Sequence, residues 1–513
     1  MRLLAAALLA VAASAWDEGL RDAPMAGDSV TYLDGTWQVT GAGLHFDGSV
    51  PGELFTDLEN AKVSVWRTCS HAYCWPSARR PAGQVSAPPP GRPQPQSSRD
   101  PRPRCRFFPP QIIPDPLFEL NWLQNSSLWA TNTFNYSTSF ELSAAQAATP
   151  GTLLVFNGIK MGANIYLNGK LLGKAEDQFL RYSFDISTAG AALAGSNLLA
   201  VVFDPSITVD GRFMACTGGW DWAPYSDQTQ PAQPGDAHVF TKGIWKSVYI
   251  VSVSSAAITH VVPQTFYNGE YVIEPLEDGK HAGFTVKVRT HLWAPVAVSG
   301  TLNVKGAWGT TASSKVTVPA GDSNTTISVA ASAQDINLWW PSGMGAQPLY
   351  DVEVEFVPDS GPSVASARRV GFKYFVLVTG DDTAPGYIEK NKDADGNDSN
   401  GMFFRVNGAA FFARGANHIP FDELEGRVNS TQVRIMVQSA VDGRFNMLRI
   451  WGGGIFQYDA FYAACDELGI VIYHDMQYAQ EGHSPAQTDV QEAEFRHQVR
   501  RISGHVSIGL YDG

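Results

Sequence analysis

The thirty residues from Asn446 to Asp475 constrain the fold more than any other stretch of the chain. A short apolar strand, Met447 to Ile450, runs into Trp451-Gly452-Gly453-Gly454. A helix follows with Phe461, Ala464, Cys465 and Leu468 on one face and Gly469 as its stop. A second apolar strand, Ile470 to Tyr473, ends in His474-Asp475. Such a strand–helix–strand unit places Trp451 and Asp475 at the carboxyl ends of neighbouring parallel strands, the edge where α/β architectures keep their chemistry. Three consecutive glycines have no packing value, so they imply backbone passing close to a neighbour or a ligand. An aromatic ring and a carboxylate beside that loop fit a polar ligand with an apolar face, sugars being the commonest case. The plain alternative is a Gly-rich turn around a buried Trp.

The unit has neighbours of the same kind. Upstream, Ala413 to Asn417 ends another strand, and the helix after it carries Val433, Met436, Val437, Ala440 and Val441 before Asp442-Gly443. Downstream, Asp489 and Glu492 predict a capping box for a helix with Phe495, Val499 and Ile502 inward, followed by a fourth strand, Ile508 to Tyr511. Four strands alternating with three helices at ~25–35 residue spacing predict the first half of an eightfold (β/α)8 barrel over 376–513.

The start of the chain is of a different kind. Met1-Arg2, the apolar run Leu3 to Ala13 and the small residues Ala13-Ser14-Ala15 predict a secretory signal peptide over 1–15. That run is too short to span a bilayer, and no other stretch is long enough. Sequons at Asn125, Asn135, Asn324, Asn397 and Asn429 agree with a secretory route. Of five cysteines, Cys69, Cys74 and Cys105 fall in or just before one unusual segment, too few for a disulfide scaffold. A net charge of −13 argues against nucleic acid and anionic membrane surfaces as partners.

The unusual segment runs from Pro76 to Gln111 and holds eleven prolines and seven arginines, with Asp100 its one acid. Such composition buries too little apolar surface to offset its ordering entropy. It reads as a disordered surface loop, a basic partner-binding arm or translated intron. On either side the pattern is β-rich: Thr36–Val39, Ser139–Leu142, Thr152–Phe156, Asn164–Leu167 and Leu198–Phe203, with turns expected at Asn157-Gly158 and Asn168-Gly169. These strands predict a jelly-roll sandwich over 16–255, closing near Gly243 to Ile250. A second set, including Phe284–Val288 and Tyr350–Val354, predicts an immunoglobulin-like sandwich over 256–375. No linker separates the parts, so they are expected to pack together.

Specific residues in this order resemble the β-mannosidases of glycoside hydrolase family 2: Trp220-Asp221-Trp222-Ala223-Pro224, Gly243-Ile244-Trp245, Gly415 to Pro420, Arg449 to Gly454, and Asp466 to Ile470. Gln498 to Arg501 and His505 to Ile508 resemble the family's run into its fourth barrel strand. The resemblance covers the mature chain outside the insert. It implies release of a terminal non-reducing β-D-mannose with retention, by two carboxyls ~5 Å apart. In the family the acid/base is the Glu of an Asn-Glu pair just after the fourth strand, and the nucleophile lies on a later strand. Both are expected beyond Gly513, so no catalytic residue is assigned and the 513-residue chain alone is expected to hydrolyse no β-mannoside.

What the resemblance assigns is sugar binding. Trp220 and Asp221 would hold the terminal mannose, Trp451 would pack against the ring, and Asp475 would bind another hydroxyl. Asn417 would line the floor and Arg212 would orient Asp221. The plain alternatives are a cap or turn role for Asp221 and a surface ion pair for Arg212. Departures from the family pattern are His418 for Trp, Ala223 for Gly, Tyr473-His474 for Trp-Gln and Tyr511 for Trp. The expected partners are β-mannoside oligosaccharides or N-glycan fragments, with no cofactor and no metal. Residence would be the lysosome or vacuole, or outside the cell. Two other readings are an inactive glycan-binding product and another family 2 exo-hydrolase such as an exo-β-glucosaminidase.

Overall fold

The computed structural model describes residues 18–61, 64–65, 111–112, 128–129, 131–160, 162–188, 192, 194–207, 242–387, 402–422, 424–477 and 488–512. The expected leader, most of 76–111 and the sequons at Asn125 and Asn397 lie outside them.

The first unit is a sandwich of two antiparallel sheets. One has six strands in the order Leu44–Val50, Gly35–Gly41, Phe134–Leu142, Gly195–Phe203, Ala163–Leu167, Lys170–Ala175. Period-2 alternation builds it: along Gly195–Phe203 every second side chain from Asn197 is buried. The other sheet orders Ser29–Tyr32, Val248–Val253, Gly151–Phe156, Tyr182–Asp185. Its two central strands are buried along their whole length because the sheet is covered on both faces. Trp37, Trp129, Tyr136 and Phe156 fill the space between the sheets.

Asn168-Gly169 turns the hairpin between Ala163–Leu167 and Lys170–Ala175, with φ of 50° and 79°. Asn157-Gly158 is not a hairpin turn, contrary to expectation. The Asn157 N–H donates to the Ser247 carbonyl, and the Gly158 carbonyl accepts from the Lys246 N–H. The chain thus crosses beside 243–247, and a Cβ on Gly158 would lie 2.6 Å from the Trp245 indole nitrogen. The glycine serves that close approach. Gln111, placed by composition in the insert, instead pairs with Val65 in a short antiparallel ladder, Ser64–Val65 with Gln111–Ile112.

The second unit sets the strands Ala257–Tyr267, Phe284–Ala294 and Gly321–Ala331 against Thr311–Val318, Val298–Gly306, Tyr350–Pro358 and Val364–Val370. A three-stranded sheet, Phe375–Val378, Phe403–Val406 and Ala409–Phe411, leads out of it.

Beyond lies a run of parallel strands and helices, labelled here from its own start: β1 Gly415–His418, α1 Ser430–Asp442, β2 Met447–Ile450, α2 Asp459–Leu468, β3 Val471–Asp475, α3 Asp489–Ile502 and β4 Ile508–Asp512. The strands lie side by side in chain order, all parallel. Asn429 and Gln432 form a capping box for α1, and α2 ends on Gly469 in the left-handed conformation. Helix α3 departs from expectation twice. Its cap is Thr488, whose hydroxyl accepts from the Gln491 N–H at 3.2 Å. Its buried face is polar, comprising Gln491, Glu494, His497 and Gln498 with Ile502, while Val499 is 40 % exposed. The reason is its surroundings: Gln498 donates to the Phe179 carbonyl of the first sandwich, and His497 meets His260 of the second at 3.2 Å. Phe179 and Trp245 share one core with Phe456, Phe461 and Ile502, so sandwich and helices are packed as one body.

Candidate functional site

The carboxyl ends of β1, β2 and β3 bring together Asn417, Arg449 and Asp475. Register explains it: Asn417 pairs with Arg449 and Arg449 with Tyr473, so Asp475 lies two residues further on the same face. The Arg449 guanidinium grips Asp475 by both carboxylate oxygens, Nε at 2.9 Å and Nη2 at 2.5 Å. Its Nη1 donates to Asn417 Oδ1 at 3.3 Å. The backbone N–H of Gly452 completes the set, donating to Asp475 Oδ2 at 3.0 Å. Asp475 is buried, and burial raises its pKa although Arg449 pulls it down.

The glycine loop is explained by its own tryptophan. A Cβ on Gly453 would lie 2.2 Å from the Trp451 ring, and one on Gly454 would lie 2.9 Å from Pro420. The half-buried Trp451 therefore folds back over the loop, whose start is tied to Asp475. The close approach implied by three glycines is at least in part to this indole.

Behind the strand ends, His474 is fully buried. Its Nδ1 donates to the Asp475 carbonyl at 2.7 Å, so Nε2 accepts from the Tyr462 hydroxyl at 2.8 Å. That hydroxyl accepts in turn from the Gln457 N–H at 3.2 Å. Phe456 and Tyr462 stack on the imidazole, and burial pushes its pKa down to about 4. The neutral ring is thus held in one tautomer that fixes the backbone at Asp475. His418 stacks on Phe461, with centroids 4.8 Å apart, and burial lowers it to about 4 as well. At the end of β4 the Tyr473 hydroxyl donates to Asp512.

Three of the six expected sugar-binding residues, Asn417, Trp451 and Asp475, are therefore brought together. Trp220, Asp221 and Arg212 lie in 208–241, outside the described residues. The chain resumes at Lys242, buried and lowered to about 7 by burial and by the charge of Lys160. Lys160 in turn forms a buried ion pair with Glu425 at 2.6 Å, in the loop after β1. Sequence reading missed Arg449. Its signal was the parallel register, which aligns Leu448-Arg449-Ile450 with Ile472-Tyr473-His474 and so sets Arg449 beside Asp475.

Comparison with known proteins agrees with this architecture. The family model described as glycosyl hydrolase 2 galactose-binding domain-like matches residues 107–246, and that of glycosyl hydrolases family 2 matches 270–373. The β-mannosidase of Capra hircus is 29% identical over 450 residues, covering 79% of this chain and 46% of that protein. The β-mannosidase B of Emericella nidulans is 26% identical, covering 78% and 46%. The chain thus spans about half the length of the curated relatives it matches. Among solved structures, a β-D-mannosidase from Dictyoglomus thermophilum superposes with a TM-score of 0.68 at 22% identity, covering 94% of this chain and 52% of the other. An exo-chitosanase from Amycolatopsis orientalis superposes with a TM-score of 0.61 at 17% identity, covering 94% and 49%.

Proposed function

Since the chain is, by resemblance, a glycoside hydrolase of the β-mannosidase type in family 2, we propose that it forms the sugar-binding half of a retaining exo-β-D-mannosidase. In this reading the four parallel strands are the first half of a (β/α)8 barrel over 376–513, preceded by a jelly-roll domain over 16–255 and an immunoglobulin-like one over 256–375. The single observation that carries it is the strand-end lock of Arg449, Asp475 and the Gly452 N–H, which presents Trp451 and Asn417 at the carboxyl edge of the sheet. The Trp451 face would cover the apolar side of a mannose ring, and Asn417 and Arg449 would meet hydroxyls. Asp475, with both oxygens engaged, would act by holding Arg449 and the loop rather than by binding a hydroxyl. Trp220 and Asp221 would complete the pocket from the first domain. The reading is supported where their segment ends, since Lys242 lies beside the Lys160–Glu425 pair at the domain contact.

No carboxylate within 1–513 is assigned as acid/base or nucleophile. The substrates would be β-mannosides such as oligosaccharides or N-glycan fragments, met in the secretory pathway, in a lysosome or vacuole, or outside the cell. The test is turnover by the full-length protein of nitrophenyl β-D-mannoside against the β-D-glucosaminide, with the anomer of the first product read by NMR. Preference for the mannoside with a β-anomer product is expected. Preference for the glucosaminide would move the chain to the exo-chitosanase type, and an α-anomer product would exclude retention.

A further inference from the structure

Away from the strand ends, a cavity of about 410 Å³ opens where the N-terminal segment, the second sandwich and helices α2 and α3 meet. Five guanidiniums line it: Arg21, Arg181, Arg368, Arg369 and Arg501. Three of them have acids: Arg21 pairs with Asp34, Arg369 with Glu467 and Arg501 with Asp459. Among the described residues, the other two have no hydrogen-bonded acid. Arg181 donates only to neutral acceptors, Asn157 Oδ1 at 2.8 Å and the carbonyls of Thr259 and Ala23 at 3.3 and 3.1 Å. Arg368 donates to the carbonyl of its own neighbour Ala367 at 2.8 Å. Both are half-buried.

The acids nearby are already engaged. Asp459 accepts from Arg501 and from the Ala23 N–H, and Asp466 from His505 and the Ser507 N–H. Asp351 lies at the exposed rim. Two like charges held partly out of water in one cavity, neither in a direct ion pair among the described residues and with Asp459 acting on Arg368 only at longer range, gain when an anion joins them. The local field is felt by the neighbours: burial first and the Arg181 charge second push the His260 pKa well down, and burial lowers Arg368 itself. Nor is the positive field a property of the whole molecule, whose net charge is −13.

We propose that this junction binds a small tetrahedral oxyanion of the phosphate class, held between the guanidiniums of Arg181 and Arg368. Planar guanidinium forks match the oxygens of such an anion. Because its site is built from residues of separate units, the bound anion would fasten them together and raise the unfolding temperature.

Inorganic phosphate is the probe, with chloride at equal ionic strength as control and Arg368→Gln as the variant. Arg368 is chosen because its one hydrogen bond is to an adjacent carbonyl, whereas Arg181 braces three neighbours. For the unsubstituted chain a saturable rise in Tm with phosphate is expected, with none in chloride. Arg368→Gln should weaken phosphate binding by calorimetry at least tenfold, the loss of about one charge-assisted contact. In chloride it should melt at or above the parent, since a half-buried charge without a direct ion pair has gone. Equal shifts in both proteins, or no phosphate shift beyond chloride, would overturn the proposal. So would a large loss of stability by the variant in chloride, which would make Arg368 a structural strut.

Discussion

At His418 a buried Nε2 has no hydrogen-bond partner among the described residues, and the ring lies flat on Phe461. His291, His418 and His474 are each pushed down by burial to about 4, against about 6.5 in an unfolded chain. Between those values the unfolded chain takes up protons that the fold refuses. Their stabilisation is fully present above pH 6.5 and falls as pH drops toward 4. At pH 5 one such histidine accounts for about 2 kcal/mol. Asp57, raised by burial to about 8, works in the opposite sense over the same descent, so the test compares single variants. His418→Phe keeps the stacking and removes the proton. Urea unfolding should show equal or greater stability at pH 7.5 and about 2 kcal/mol less loss between pH 7.5 and 5. An unchanged pH slope would show that His418 protonates freely in the fold. Asp475→Asn tests the strand-end lock in the full-length protein. It removes a charge-assisted pairing worth roughly 1.5–3 kcal/mol, so kcat/KM on a β-mannoside should fall about 10- to 150-fold. Near-parent kinetics would refute the lock. At this scale the sequence showed which residues meet but not how they divide the work. Asp475 was legible as a strand-end acid, and its commitment to Arg449 depended on register.

Among elements, the turn 177–180 of the first sandwich leaves its own core for that of the helices. Phe179 enters the helical unit with its ring 5.4 Å from that of Phe456, and Gln178 donates to Glu425 at 2.8 Å. Phe179→Ala should cost about 3–5 kcal/mol, as for a fully buried aromatic. Its unfolding curve should broaden or split as sandwich and helices uncouple. A sharp transition at the parent midpoint would show that the turn is not the coupling element. The short Val65–Gln111 ladder makes a second prediction. Since the chain leaves and returns at paired positions, deleting 76–110 shortens a connection whose ends already meet, lowering its closure cost by about 0.6 kcal/mol per halving of length. Tm should be unchanged or higher, and a drop of many degrees would place that segment in the core. Strands and helices were legible because each carries its period in its own residues. The polar face of α3 and the straight crossing at Asn157-Gly158 were not, because the partners that require them, Phe179, His260 and Trp245, lie far along the chain.

Across the whole molecule, four charges meet where the units join, three of them with almost no exposure and Asp459 partly exposed. Lys246 Nζ pairs with Asp22 at 2.7 Å, and Arg501 with Asp459 at 2.6 Å and with Asp22 at 4.0 Å. Lys246→Met would leave Asp22 buried with only the distant Arg501, and breaking such a pair costs about 3–5 kcal/mol. Tm should fall by many degrees at pH 7. A loss within a degree or two would show that water replaces the lysine. The order of the three units was legible in the strand and helix patterns. The cluster that joins them was not, because its members are single charges scattered from residue 22 to residue 501. One member of that join sets a timetable. The Ala23 N–H donates to Asp459 across 436 residues of chain. At ribosomal speeds of about 5–20 residues per second, Ala23 waits roughly 20–90 seconds for the partner that seats it. Even after Val248–Val253 completes its sheet, the first sandwich lacks this mooring until Asp459 has been made.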